Sequence, residues 1–177
     1  GADFDLEIVL VVELFAELIR DGRLTPSVPV QRSVTYHDPC RLNKRKGIWQ
    51  EPREVLRAIP GLDFTDVDRV TQWSYCSGAG GGLGGVHLLR DLVQLLERLA
   101  LAVTAGLGIE KPELTAAISD DRMDKAAALG VDTLVSACPW SERPLSVAGG
   151  KRDIDVIDIH EILAESLGIE VGGRQGT

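Results

Sequence analysis

The chain has 177 residues, 44% hydrophobic and 26% charged. This is the composition of a folded globular domain rather than of a disordered, collagen-like or disulfide-framework chain. A net charge of -8 and a pI near 4.9 argue against nucleic acid as a partner, because that binding needs clustered Lys and Arg to release counterions. No uncharged apolar run reaches the roughly 18 residues of a membrane span. The three cysteines are an odd number and widely spaced, which predicts free thiols in a reducing compartment and a cytoplasmic location.

In chain order, "EIVLVV" (7–12) reads as a buried strand running into a helix "ELFAELIRDG" that stops at Gly22. "SVTYHDPC" is β-branched and aromatic, and Asp38–Pro39 breaks it just before Cys40. "RLNKRKG" follows, with Arg41, Lys44, Arg45 and Lys46. It reads equally as a solvated helix start or as a cationic face toward an anion, an acidic partner or a metal–thiolate centre. "PREVLRAIPG" and "KPELTAAISDDRMDKAAALG" are helical in period, with proline at the start and glycine at the end. "RVTQWSYC" alternates and ends at Cys76 before a run of glycines, and "VDTLVSACP" is an apolar run ending at Cys138 and Pro139. "DIDVIDIHEILAESLGI" reads as a last strand and a short helix stopping at Gly168.

Strands alternating with helices predict an α/β fold, a mostly parallel sheet with helices on both faces. Ligands of such sheets bind beyond the C-terminal strand edge. Cys40, Cys76 and Cys138 are therefore expected to converge there. The whole of 1–177 is expected to form one domain. "VHLLRDLVQLLERLALAVT" (about 86–104) departs from the pattern as an amphipathic helix with a wide leucine face. Glycine-rich segments bracket it, so 84–107 reads as an insertion that would serve oligomerisation. His87, at its start, reads as a surface residue.

Thiolates are soft ligands that select zinc, copper(I) or iron–sulfur clusters. Three of them do not close a tetrahedral zinc site, and His37, Asp38 or water would supply the fourth ligand. Glycines beside Cys76, among them Gly78, Gly80 and Gly81, would let backbone N–H groups face a negatively charged centre. Trp73 and Trp140 flank two of the cysteines and would shield the site or pack in the core. His37 and Asp38 point to opposite faces and make no ready acid–base pair. Against ligation stands the frequency with which free cysteines are plain packing residues. A chain breaker beside each cysteine speaks for placement as a ligand.

The ordered segments "YHDPCRL", "CSGAGGGL" and "CPWSERPL" resemble the cysteine-rich CCG domain found in heterodisulfide reductase and in the iron–sulfur subunits of glycolate, lactate and glycerol-3-phosphate oxidoreductases. The resemblance runs from about Asp5 to Ile169. It implies an iron–sulfur cluster, [4Fe–4S] and often non-cubane, in an electron-transfer subunit rather than a stand-alone enzyme. The implied partners are flavin-, quinone- or ferredoxin-linked redox subunits. It also implies that Cys40, Cys76 and Cys138 are metal ligands; His37 and Ser77 or Ser141 read as supplementary contacts. The family's two remaining cysteines fall on Ser77 and Ser141, whose hydroxyls are far weaker ligands than thiolates. This places the five-cysteine cluster in doubt and leaves two alternatives, a cluster-free structural or interaction domain and a zinc-binding variant.

Overall fold

The structure, a computed structural model, describes residues 8–70, 73–79 and 112–170. The expected inserted helix at 86–104, with His87, and the glycines Gly80 and Gly81 lie outside these residues.

Four strands form one parallel sheet: β1 (Ser33–His37), β2 (Asp63–Phe64), β3 (Thr133–Ser136) and β4 (Asp155–Asp158), in the order β2-β1-β3-β4. Val34 to His37 pair in register with Thr133 to Ser136, and Ser136 pairs in turn with Asp158. Because side chains alternate along a strand, the sheet presents two apolar faces, as predicted. Val34, Tyr36, Val135 and Ile157 pack with α1 (Val11–Arg20), α2 (Gln50–Ala58) and α5 (Ile159–Ser166). Leu134 and Val156 pack on the other face with Met123 and Ala126 of α3 (Pro112–Ala127) and Leu145 and Ala148 of α4 (Pro139–Gly149).

Two expected strands are absent among the described residues. Of the run 7–12, the described residues 8–12 form no strand, since α1 already begins at Val11. Glu13 reaches back to accept from the Leu10 N–H at 3.0 Å, and the Leu10 carbonyl accepts from the Glu13 and Leu14 N–H groups. The β-branched run is thereby drawn into a first helical turn, which buries Val12 and Ala16 at i, i+4 spacing. Ile8 and Val9 stay exposed. Gly22 ends the helix as expected, at φ +68°.

The segment leading to Cys76 is likewise not a strand over Trp73–Ala79. The fourth strand is instead β2, two residues long, which docks on the free edge of β1 and continues as a bond from the Thr65 N–H to the Val34 carbonyl. Alternation alone misled here: Trp73, 70% exposed, carries its ring to solvent rather than into a core face. The cysteines are therefore not all delivered by strands. Cys40 and Cys138 follow β1 and β3, whereas Cys76 sits on a loop.

Candidate metal centre

Cys40 is set by the turn that precedes it. Asp38, buried beneath the end of β1, accepts two bonds of 2.8 Å from the guanidinium of Arg53 on α2. Arg53 in turn donates through Nε to Asp66 at 2.9 Å and through Nη1 to the Trp49 carbonyl at 2.6 Å. Its guanidinium also lies 5.5 Å from the centre of the Tyr36 ring. Asp38 is thus fully engaged as an anchor between β1 and α2 and is not available as the fourth ligand. Beyond Cys40 the chain turns through a π-helical segment, Arg41–Arg45, of the kind that occurs mainly at functional sites. Lys44 on this turn is exposed at its surface, yet its charge acts on Cys40, Cys76 and His37. The cationic-face reading of the basic segment fits this better than the solvated one.

Cys76 and Cys40 lie close enough for each thiol to act on the other. The Cys40 thiol is the largest influence on Cys76 and brings its pKa down to about 5; the Gly78 and Ser77 N–H groups and Lys44 act in the same direction, against partial burial. The same contact, with burial, pushes the Cys40 thiol well up. The Gly78 N–H lies 3.3 Å from Cys76 Sγ. Gly78 has φ +79°, and a Cβ there would sit 2.8 Å from the Thr115 carbonyl oxygen on α3. Glycine is therefore required both for the left-handed backbone and for the close approach of the loop to the helix. The Ser119 hydroxyl on α3 lies 2.7 Å from the Ser77 carbonyl and 2.9 Å from that of Thr115, which ties the cysteine loop to α3.

Cys138 is the residue at which β3 gives way to α4. Its carbonyl accepts the Ser141 N–H at 2.9 Å, which fixes the first turn. Ser77 and Ser141, both buried, face one another, and the Ser77 hydroxyl donates to Ser141 Oγ at 3.0 Å. This bond joins the Cys76 loop to the Cys138 turn. The two positions singled out by the resemblance as departures from the cysteine pattern are neighbours in space. Trp73 and Trp140 are 70% and 56% exposed and serve neither as core nor as a shield over the thiols.

Under this edge lies a buried polar layer that sequence reasoning missed. His37, 1% exposed, accepts from Arg122 Nε through Nδ1 at 3.3 Å, while Arg122 Nη2 donates to the Tyr36 carbonyl at 3.1 Å. Burial, then the charges of Arg122 and Lys44, lower the His37 pKa to about 3, so the ring is neutral. His37 Nε2, the Oγ of its sheet neighbour Ser136, and Arg122 Nη1 have no hydrogen-bond partner among the described residues. In the sequence, Arg122 sits in "SDDRMDK" and looks like one of several surface charges on a helix. Only the burial of the adjacent Met123 hinted at that face, and it did not single out the arginine.

Among the described residues, no group of three His, Cys, Asp or Glu side chains is arranged to grip a single metal ion. With Zn–S bonds of about 2.3 Å, a mononuclear zinc site would need such a group. A multi-iron cluster spans a wider set of thiols. Cys40 and Cys76 supply soft donors beside the Gly78 and Ser77 N–H groups and Lys44, and Cys138 follows β3 at the same end of the sheet; soft donors of this kind suit an iron–sulfur cluster.

An α/β domain with cysteine-bearing segments at the C-terminal end of a parallel sheet is of a cysteine-rich class. Residues 34–105 match the model of the CCG cysteine-rich domain, and the chain carries a domain of that family. It is 33% identical over 172 residues to one subunit of the dihydromethanophenazine:CoB–CoM heterodisulfide reductase of Methanosarcina mazei, covering 96% of this chain and 36% of that protein. It is 29% identical to one subunit of the fumarate reductase (CoM/CoB) of Methanothermobacter marburgensis, over 90% of this chain and 27% of the relative. To the probable iron–sulfur-binding oxidoreductase FadF of Bacillus subtilis it is 27% identical, over 93% and 20%. The chain thus spans about a third or less of the length of these relatives. No solved structure gives a significant match.

Proposed function

We propose that the chain is an electron-transfer module of an iron–sulfur oxidoreductase, with the cluster held by Cys40, Cys76 and Cys138. The observation that carries this reading is the joining of the three cysteine-bearing segments at one edge, through the Cys40–Cys76 contact and the Ser77–Ser141 bond. Gly78 and the backbone beside it lower the charge density on the sulfurs, and His37 and the two serines line the same site. When bound, the cluster supplies one-electron chemistry. The chain's own residues orient the thiols, hold Cys76 as a thiolate and keep His37 neutral. The proposed cluster type, [4Fe–4S], and a heterodisulfide reductase-like role between flavin-, quinone- or ferredoxin-linked partners extend the resemblance to the cysteine-rich family; the relatives' names support only an iron–sulfur oxidoreductase subunit. The domain is read as one unit, with the 86–104 helix as its association surface.

A second reading has one observation in its favour. Ser77 and Ser141 satisfy each other's hydroxyls, as they would in a domain that had lost its cofactor and kept its fold. Anaerobic reconstitution with iron and sulfide distinguishes the two readings. The first expects a coloured protein with stoichiometric iron and sulfide, and a changed absorption or EPR signature in the S77C/S141C double variant. A colourless wild-type protein without iron after reconstitution leaves the second reading. Zinc retained in place of iron would assign the mononuclear variant.

A further inference from the structure

The molecule buries two arginines to nearly the same extent and treats them differently. Arg53, 2% exposed, pairs with Asp38 and Asp66. Arg122, 1% exposed, has two neutral acceptors, the His37 ring and the Tyr36 carbonyl. No carboxylate of the described residues pairs with it, and its Nη1 has no hydrogen-bond partner among them. Asp38, Asp68 and Asp121 act on it only through space. A guanidinium does not lose its proton to escape this situation. A buried cation without a paired counter-charge is strongly unfavourable, and none of the described carboxylates pairs with this one.

Everything around Arg122 belongs to the thiol edge. One turn earlier on α3, Ser119 contacts the Ser77 carbonyl. The Arg122 guanidinium lies 5.7 Å from the centre of the ring of Tyr75, the residue before Cys76. Its hydrogen-bond partner His37 closes β1, three positions ahead of Cys40. Arg69 and Lys125 also lie over the Tyr75 ring, at 5.5 and 4.5 Å. Of these, Arg122 is buried, Arg69 is exposed and Lys125 is paired with Asp121, while the Tyr75 hydroxyl donates to Asp68.

We propose that Arg122 is the fixed counter-charge of the thiolate-bound centre, a positioning residue that sets how readily the centre accepts an electron. The inference rests on the iron–sulfur reading above. One-electron reduction adds one negative charge at the thiol edge without bond making or proton transfer. A cation held rigidly in a low-dielectric layer stabilises the reduced form and raises the potential.

The test is an anaerobic, dye-mediated redox titration of the reconstituted wild-type protein and of the Arg122→Gln and Arg122→Lys variants, with iron content and cluster-free melting temperature measured alongside. The midpoint of Arg122→Gln is expected to move to more negative potential, with that of Arg122→Lys between it and wild type because a buried lysine can lose its proton, and iron content equal in all three. Equal midpoints in wild type and Arg122→Gln would overturn the proposal. So would a cluster-free Arg122→Gln protein that fails to fold, because the arginine would then serve the fold rather than the centre. A wild-type protein that takes up no iron removes the functional reading and this inference with it, an outcome distinct from iron uptake with unchanged midpoints.

Discussion

His37 shows how one residue's environment can change its chemistry. A histidine beside an aspartate before a cysteine reads as a candidate metal ligand. In the fold, Arg122 engages its Nδ1 and burial keeps the ring neutral. Its pKa falls from the ordinary 6.5 to about 3 on folding. Between these values the unfolded chain binds the proton and the folded one does not, so stability is full above about pH 6.5 and declines as pH falls toward 3. Cys76, lowered to about 5, adds a slope of the same sign. For the cluster-free protein the His37 contribution amounts to a loss of about 2 kcal/mol between pH 7 and pH 5. Urea midpoints at the two pH values measure it. The His37→Gln variant, whose amide oxygen can still accept from Arg122, should show a shallower pH dependence; a slope equal to wild type would refute the assignment. Ser77 and Ser141 teach the complementary lesson, because their pairing at 3.0 Å joins residues that no local pattern connects.

At the scale of elements, the parts with a clear period were legible. The strands ending before Cys40 and Cys138, the last strand, and the helices α2, α3 and α5 follow from β-branched runs, apolar spacing and Pro/Gly punctuation. What failed was apolar sequence whose backbone partner lies elsewhere. Residues 8–12 were claimed by the Glu13–Leu10 turn, and the Cys76 segment forms a loop because the edge of β1 is taken by β2. The π-helical turn after Cys40 has no recognised sequence signature. The loop's docking on α3 can be tested with a matched pair of glycines. Gly78 and Gly47 have similar left-handed φ values of +79° and +73°, but only Gly78 has a helix backbone against it; a Cβ at Gly47 meets nothing within 4 Å. Gly47→Ala should cost about 1 kcal/mol, the backbone term alone. Gly78→Ala should cost about 2–4 kcal/mol, adding the collision with Thr115, and should lower iron retention because Cys76 moves with the loop. Chemical denaturation and iron analysis read both. Equal costs at the two positions would show that the loop does not depend on its contact with α3.

Across the whole molecule, the sheet collects side chains from distant parts of the chain at one edge, and no helix of the described residues is long and apolar enough to cross a membrane. The proposed centre, tying the Cys40 turn, the Cys76 loop and the Cys138 helix start together, would bind only the folded state. Its removal should therefore lower stability by mass action. Stripping iron from the reconstituted protein with a chelator under reducing, anaerobic conditions is expected to lower the melting temperature by several degrees, an effect typical of about 1–2 kcal/mol in a domain of this size. Restoring iron and sulfide should bring it back. An unchanged melting temperature would mean that the centre does not bridge the three segments.

The sequence by itself determined the α/β class, the parallel arrangement and the kinship with cysteine-rich domains, because periodicity, chain breakers and soft-ligand chemistry are local properties. Only the tertiary structure decided that Asp38 anchors a helix through Arg53, that Ser77 meets Ser141, and that Arg122 lies buried without a paired carboxylate among the described residues. Those outcomes depend on which polar groups share a low-dielectric interior, and their partners stand 15, 64 and 85 positions apart along the chain.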